Sequence, residues 1–175
     1  DERNLTHAEF LALYINAYNA LAVNTIVEHP CRADAFGDCA PLGGIRDVGT
    51  LAQAVWNRPA GALSARTVTL QHVEDTLRAP QKFGFAWPED ARIHAAIVCA
   101  SVSCPNLRAE AFDAARIDEQ LNAQVADFLA NTAKGLRCDA DARALHLSSI
   151  FKWFAADFGD VPAFVERHAP SNATA

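Results

Sequence analysis

The chain has 175 residues, of which 51% are hydrophobic and 21% charged, enough for one domain with a substantial core. A formal net charge of -6 and a pI of about 5.4 disfavour both a nucleic-acid binder and electrostatic docking on an anionic membrane, each of which needs a basic surface. No run reads as a membrane span, because the most apolar stretch, Phe10 to Val27, carries Asn16, Asn19 and Asn24.

In chain order, "THAEFLALYINAYNALAVNTIVEHP" is a helix begun by the Thr6/Glu9 capping-box pattern and stopped by Pro30. Apolar residues surround it almost completely, which predicts burial. Its polar residues Glu9, Asn16 and Asn19 fall near one stripe. Buried amides must be hydrogen-bonded, so Asn16 and Asn19 either clamp a neighbouring loop or face a ligand pocket. Residues 31–44 read as loop, "IRDVG" as a short element, and "TLAQAVWN" as a brief helix ended by "RPAG". "ALSARTVTL" holds a strand or a hairpin, and Thr69 caps a helix over "LQHVEDTLR" that carries Glu74.

After the loop "APQKFGFAWPED", the segment "ARIHAAIVCAS" reads as the clearest strand, buried on both faces from Ala95 to Val98. Pro105 and Asn106 make "VSCPN" a turn. "ARIDEQLNAQVADFLANTA" is an amphipathic helix with Ile117, Leu121, Val125, Phe128 and Leu129 on one side, and "GLRCDADARALHLS" is a hairpin. Ser148 or Ser149 caps "SIFKWFAADFG", which Gly159 stops, and Pro162 starts a last helix over "PAFVERH". Helices mixed irregularly with short strands predict an α+β class: a single helix-rich domain, residues 1–168, around a small, mainly antiparallel sheet, with a frayed tail over 169–175.

The five cysteines carry the compartment signal. Cys31 and Cys39 bracket a short polar loop of the kind bridged in secreted proteins, Cys99 and Cys104 form a second close pair, and Cys138 is left over. The chain starts at Asp1 and contains no methionine, which reads as a mature product or a piece of something longer. Together these predict a periplasmic or extracytoplasmic location.

Chemistry concentrates in "HAAIVCASVSCPNL", residues 94–107. A catalytic thiol needs a base beside it. On a regular strand His94 and Cys99 would point to opposite faces, about 16 Å apart. Cys104 lies beyond a turn that can fold back, so Cys104 with His94 is the better dyad, with His72 and His146 as rival bases. Cys99 alternatively packs as a small hydrophobe, or bridges to Cys104 if the turn brings their Cα atoms within about 7 Å. Ser101 and Ser103 can hydrogen-bond locally, and neither is marked as a nucleophile. Zinc spacings, phosphate loops, dinucleotide fingerprints and hydrolase elbows are absent from the sequence, so it calls for no metal and no cofactor.

Taken together, "LALYINAYNALAVNTIVEHP", "IRDVG", "RIHAAIVCASVSCPNLRAEAF", "LNAQVADFLAN" and "LHLSSIFKWFAADFG" resemble, in that order, the domain of unknown function 547. The resemblance runs from the first helix to the last. It implies that Asn16, Asn19, His94, Cys99, Ser103, Cys104 and the Lys152–Trp153 region occupy family motif positions, with Glu74 of "VEDTLR" in a glutamate position. Some members look like exported bacterial proteins, and others are fused to a glutaredoxin-like domain, which hints at thiol chemistry. The order of a helix and then a strand carrying histidine is also similar to papain- or transglutaminase-type folds. There the helix bears the nucleophilic cysteine, where this chain has Asn16 and Asn19.

Two functional readings follow. In the first, the chain is a thiol-dependent hydrolase or acyltransferase acting on an amide or thioester of a small molecule or peptide. Cys104 is the nucleophile, His94 the base, and Glu74 or Asn16 orients the histidine or the substrate. Backbone N–H groups of "SVSCP" stabilise the oxyanion. Asn16, Asn19, Ser103 and Lys152 contact substrate. In the second, the chain is a non-catalytic binding or scaffold domain closed by a structural or redox Cys99–Cys104 pair. The sequence sets no oligomeric state.

Overall fold

The computed structural model describes residues 2–33, 38–48, 54–100 and 103–170. The expected positions of Ser101 and of residues 50–53 and 171–175 lie outside them. Helix α1 (His7–Glu28) runs through the centre. Its start is the predicted capping box: the Glu9 N–H donates to Thr6 Oγ1, and Glu9 Oε2 accepts from the Thr6 N–H at 2.8 Å. By length and composition α1 would suffice to cross a bilayer, which the sequence reading had excluded. In the fold half of that apolar stretch is buried inside the protein.

Residues 31–44, read as loop, instead contain a hairpin of β1 (Cys31–Ala33) and β2 (Cys39–Pro41). Its strands are three residues each, too short for an alternating pattern to register. After short 3-10 turns at Ile45–Val48 and Val55–Asn57, a second hairpin joins β3 (Pro59–Leu63) to β4 (Arg66–Thr69). It leads directly into α2 (Leu70–Arg78), capped by the Thr69 side chain as expected.

The segment read as the clearest strand is corrected. Ile93–Ala96 form a one-turn helix, α3, and the chain becomes extended only at Ile97. All four residues of α3 are buried. A short apolar run has no period that separates a buried strand from a buried helix, and Ala95 and Ala96 favour the helix. The extended stretch that follows is paired by a side chain. Asn19 Nδ2 donates to the Ala96 carbonyl at 2.9 Å, and the Val98 N–H donates to Asn19 Oδ1 at 2.9 Å. One amide thus satisfies a buried donor and acceptor as a neighbouring strand would.

Helix α4 (Ile117–Ala130) precedes the hairpin of β5 (Leu136–Asp139) and β6 (Ala144–Leu147). The expected single helix over "SIFKWFAADFG" is two, α5 (Ser149–Trp153) and α6 (Ala155–Phe158), broken at Phe154 (φ -117°, ψ 29°). Ser148 caps α5, and Gly159, at φ 64°, ends α6 in a conformation that strains any side chain-bearing residue. Helix α7 (Val161–His168) closes the described fold, capped by Asp160, with Pro162 in its first turn.

The fold is α+β: a helical body carrying small antiparallel hairpins, three among the described residues. Its core has two parts. One gathers α1 and α2 around Phe10, Ile15, Tyr18 and Val73, and the other gathers α4, α5 and α7 around Val125, Leu129, Phe151 and Val165. Helix α3 lies at their seam, giving Ile93 and Ala96 to the first and Ala95 to the second. That position puts the Cys–His segment between the two parts.

Candidate functional site

A cavity of about 780 Å³ opens at this seam, a size usual for small-ligand sites. His94, Cys99, Ser103, Cys104 and Glu74 all line it. Five residues proposed from the sequence, drawn from two separate segments, therefore meet at one place. Asn16 and Asn19 do not: they face a separate shallow groove on α1. Asn16 spends its amide as Asn19 does, donating to the Phe112 carbonyl at 2.8 Å and accepting from the Phe112 N–H at 2.9 Å. Both asparagines clamp backbone, the first of the two roles weighed for them. Lys152 is exposed and outside the cavity lining, which its neighbour Trp153 supplies. The rival bases are also elsewhere. His72 packs edge-on against Phe83, and His146 stands on β6, 3.7 Å from Asp139.

His94 is 3% exposed, and its ring stacks on Phe154 at 4.3 Å between centroids. The break in the α5–α6 segment falls at this residue. His94 Nε2 lies 2.8 Å from Asp157 Oδ2. The group that orients the histidine is thus Asp157 on α6, rather than Glu74 or Asn16. Asp157 is held in turn by a fork from Arg78, at the end of α2: Nε donates to Oδ2 at 2.5 Å and Nη2 to Oδ1 at 3.0 Å. Two parallel bonds fix the carboxylate plane. The Arg78 guanidinium also sits 4.8 Å from the Phe154 ring centroid.

The electrostatics assign the protons. Burial pushes the His94 imidazole below its ordinary value of 6.5, against the pull of Asp157. Burial also opposes ionisation of Asp157, but the hydrogen bonds from Arg78 and His94 outweigh it and hold the carboxyl below its usual range. At neutral pH the pair is a carboxylate and a neutral ring. The carboxylate has only acceptors, so Nε2 carries the hydrogen and Nδ1 keeps a lone pair. A neutral ring in this tautomer can accept a proton at Nδ1. Glu74 is different: burial raises its carboxyl, against the attraction of Arg78, and the Tyr18 hydroxyl donates to Oε2 at 3.4 Å. It forms a polar floor next to the histidine system.

Cys99 and Cys104 are bridged, with Cα atoms 6.3 Å apart. Cys104 is 3% exposed, packed into the second part of the core, and Cys99 is half-buried. Ser103 turns its carbonyl to the Ser148 hydroxyl at 2.9 Å, which ties the motif to the cap of α5. Of the "SVSCP" turn, Ser101 and Val102 lie outside the described residues.

Sequence reasoning missed Asp157 and Arg78. A signal for Asp157 was present: it is an acid set among Phe151, Phe154 and Phe158, where a solvated carboxylate is out of place unless partnered. Arg78 gave no local signal, since a basic residue in the last turn of a helix is ordinary. Among the described residues no group of three or more His, Cys, Asp or Glu is placed to hold a metal ion.

A family model described as a protein of unknown function, DUF547, matches residues 2–129. The matched segment includes Glu74, Arg78, His94, Cys99 and Cys104 and ends before Phe154 and Asp157. No curated protein and no solved structure matches the chain.

Proposed function

The chain belongs to the DUF547 family, and on that premise we propose that its central cavity is the active site of a thiol-dependent acyl-transfer enzyme held here in its oxidised form. One observation carries the reading: the Cys99–Cys104 bridge shares a cavity with a histidine whose Nε2 is held by a carboxylate. A bridge that only stabilised the fold would not need a carboxylate-held histidine in the same cavity.

An external thiol or dithiol reductant opens the site. It attacks the half-buried Cys99 sulfur, Cys104 leaves as the thiolate, and a second thiol of the reductant releases Cys99 while the reductant becomes a disulfide. The Cys104 sulfur then attacks the carbonyl carbon of an amide or thioester. His94 takes the Cys104 thiol proton, either during the attack or beforehand in a thiolate–imidazolium pair, and returns it to the departing amine or thiol. Water, deprotonated by His94, hydrolyses the resulting thioester and restores the thiol. Asp157 keeps the ring in the required tautomer, and Arg78 is a positioning residue for Asp157. The two bridges support the extracytoplasmic location, because disulfides persist in oxidising compartments.

A second reading, a binding domain with a structural bridge, is favoured by the burial of Cys104 in the core. Hydrolysis of an aryl thioester separates the two. Reduced wild type and unreduced Cys99→Ser should turn over, while oxidised wild type and reduced Cys104→Ser should not. Cys104→Ser keeps Cys138, which is exposed and in neither bridge, and so controls for adventitious thiol reactivity. Equal rates in reduced wild type and Cys104→Ser would end the enzyme reading.

A further inference from the structure

We infer that the cavity takes an N-acyl amino acid or peptide end bearing a free carboxylate, seated on Arg46 with its apolar part against Trp56 and Phe154. The inference rests on the reading of the cavity as a substrate site and names the substrate class. The cavity's charged side chains divide into those with a partner and one without a carboxylate partner. Four charged side chains line the cavity besides His94: Arg46, Asp47, Glu74 and Arg78. Arg78 is spent on Asp157. Asp47 accepts from the Gly43 N–H at 2.6 Å. Glu74 accepts from Tyr18. Arg46 has no carboxylate partner among the described residues; its guanidinium lies over the Trp56 ring, 5.6 Å from the centroid. It is exposed at the rim, where its planar fork can meet a carboxylate with two parallel bonds.

The rest of the wall restricts what carries that charge. Trp56, Trp153, Phe154, Ile97 and Ile150 give it an apolar and aromatic character suited to an acyl or aryl group. Asp47 lines the same space, so a phosphate dianion is repelled more strongly there than a singly charged carboxylate. A volume of about 780 Å³ holds a benzoylated amino acid with room for water or a further residue.

The test is calorimetric titration of the oxidised protein with N-benzoylglycine and with its uncharged amide. This form has no thiol at Cys99 or Cys104, so binding is read independently of catalysis. The acid should bind at least about tenfold more tightly than the amide, as a charge-assisted bidentate contact requires. Arg46→Gln should bring the acid down to the level of the amide with an unchanged melting temperature, and Arg46→Lys should keep part of the preference. A benzoylated peptide acid that binds as well as N-benzoylglycine assigns the site to peptide C-termini, and one that binds more weakly assigns it to small N-acyl amino acids. The inference is overturned if acid and amide bind alike, if the preference survives Arg46→Gln, or if the acid shows no saturable binding. Carboxylate binding without thioester turnover would retain this inference and remove the enzyme reading. Turnover without carboxylate preference would do the reverse.

Discussion

The molecule carries two disulfides of similar span in very different settings. Cys31–Cys39 closes the β1–β2 hairpin with its Cα atoms 5.4 Å apart, next to the cross-strand pairs Cys31↔Pro41 and Ala33↔Cys39, and Cys39 is exposed. Cys99–Cys104 belongs to the second part of the core and lines the large cavity together with His94, which Asp157 holds. In the sequence the two pairs look alike, with separations of 8 and 5. Their surroundings distinguish them. A bridge on a surface hairpin limits the unfolded chain, whereas under the proposed function the bridge that shares a cavity with His94 decides whether a nucleophile exists.

The sharpest way to break this contrast acts on the histidine. Asp157→Asn leaves a group of the same shape but lets the ring adopt the wrong tautomer. Thioester turnover by the reduced protein should fall by about 10³- to 10⁴-fold, the scale on which triads depend on their orienting carboxylate. In the wild type the rate should decline as pH falls, with the acid limb below pH 6.5, because burial lowers the His94 pKa and the base is lost once Nδ1 is protonated. An acid limb above that value, or a variant within a few-fold of wild type, would detach His94 from the chemistry.

A smaller effect is expected at the other bridge. Cys31→Ala with Cys39→Ala should lower stability by about 2–3 kcal/mol through loop-closure entropy, read by denaturant unfolding. Turnover and carboxylate binding should stay unchanged. A loss of activity in the folded double variant would show that the hairpin bridge also serves the cavity, and the contrast would fail.

What the sequence disclosed was local. The Thr6/Glu9 box, the Thr69 and Ser148 caps and the "DADAR" turn act within a few residues, and each forms where its residues indicate. The closeness of each cysteine pair was legible for the same reason, but whether Cys99 and Cys104 are bridged was left open, because it depends on how the turn between them folds. The site was only half legible. His94, Cys99 and Cys104 are close in sequence, but His94 meets Asp157 across 63 positions and Arg78 meets it across 79, and no periodicity reports such encounters. The α3 segment misled because four buried residues in a row carry no information about their own period. Its strand-like continuation is satisfied by Asn19, a helix side chain from 79 residues away.

The state and reactivity of Cys104 decide most directly between an active site and a structural bridge. Alkylation with iodoacetamide near neutral pH, before and after mild reduction and followed by mapping of each cysteine, reads both. The account predicts that Cys104 is protected in the oxidised protein and, once the bridge is opened, alkylates faster than Cys99 despite its deeper burial, with the advantage lost in His94→Gln. A Cys104 that stays inert after reduction in a protein that remains folded would contradict it, and would leave the bridge as a fastening of the core.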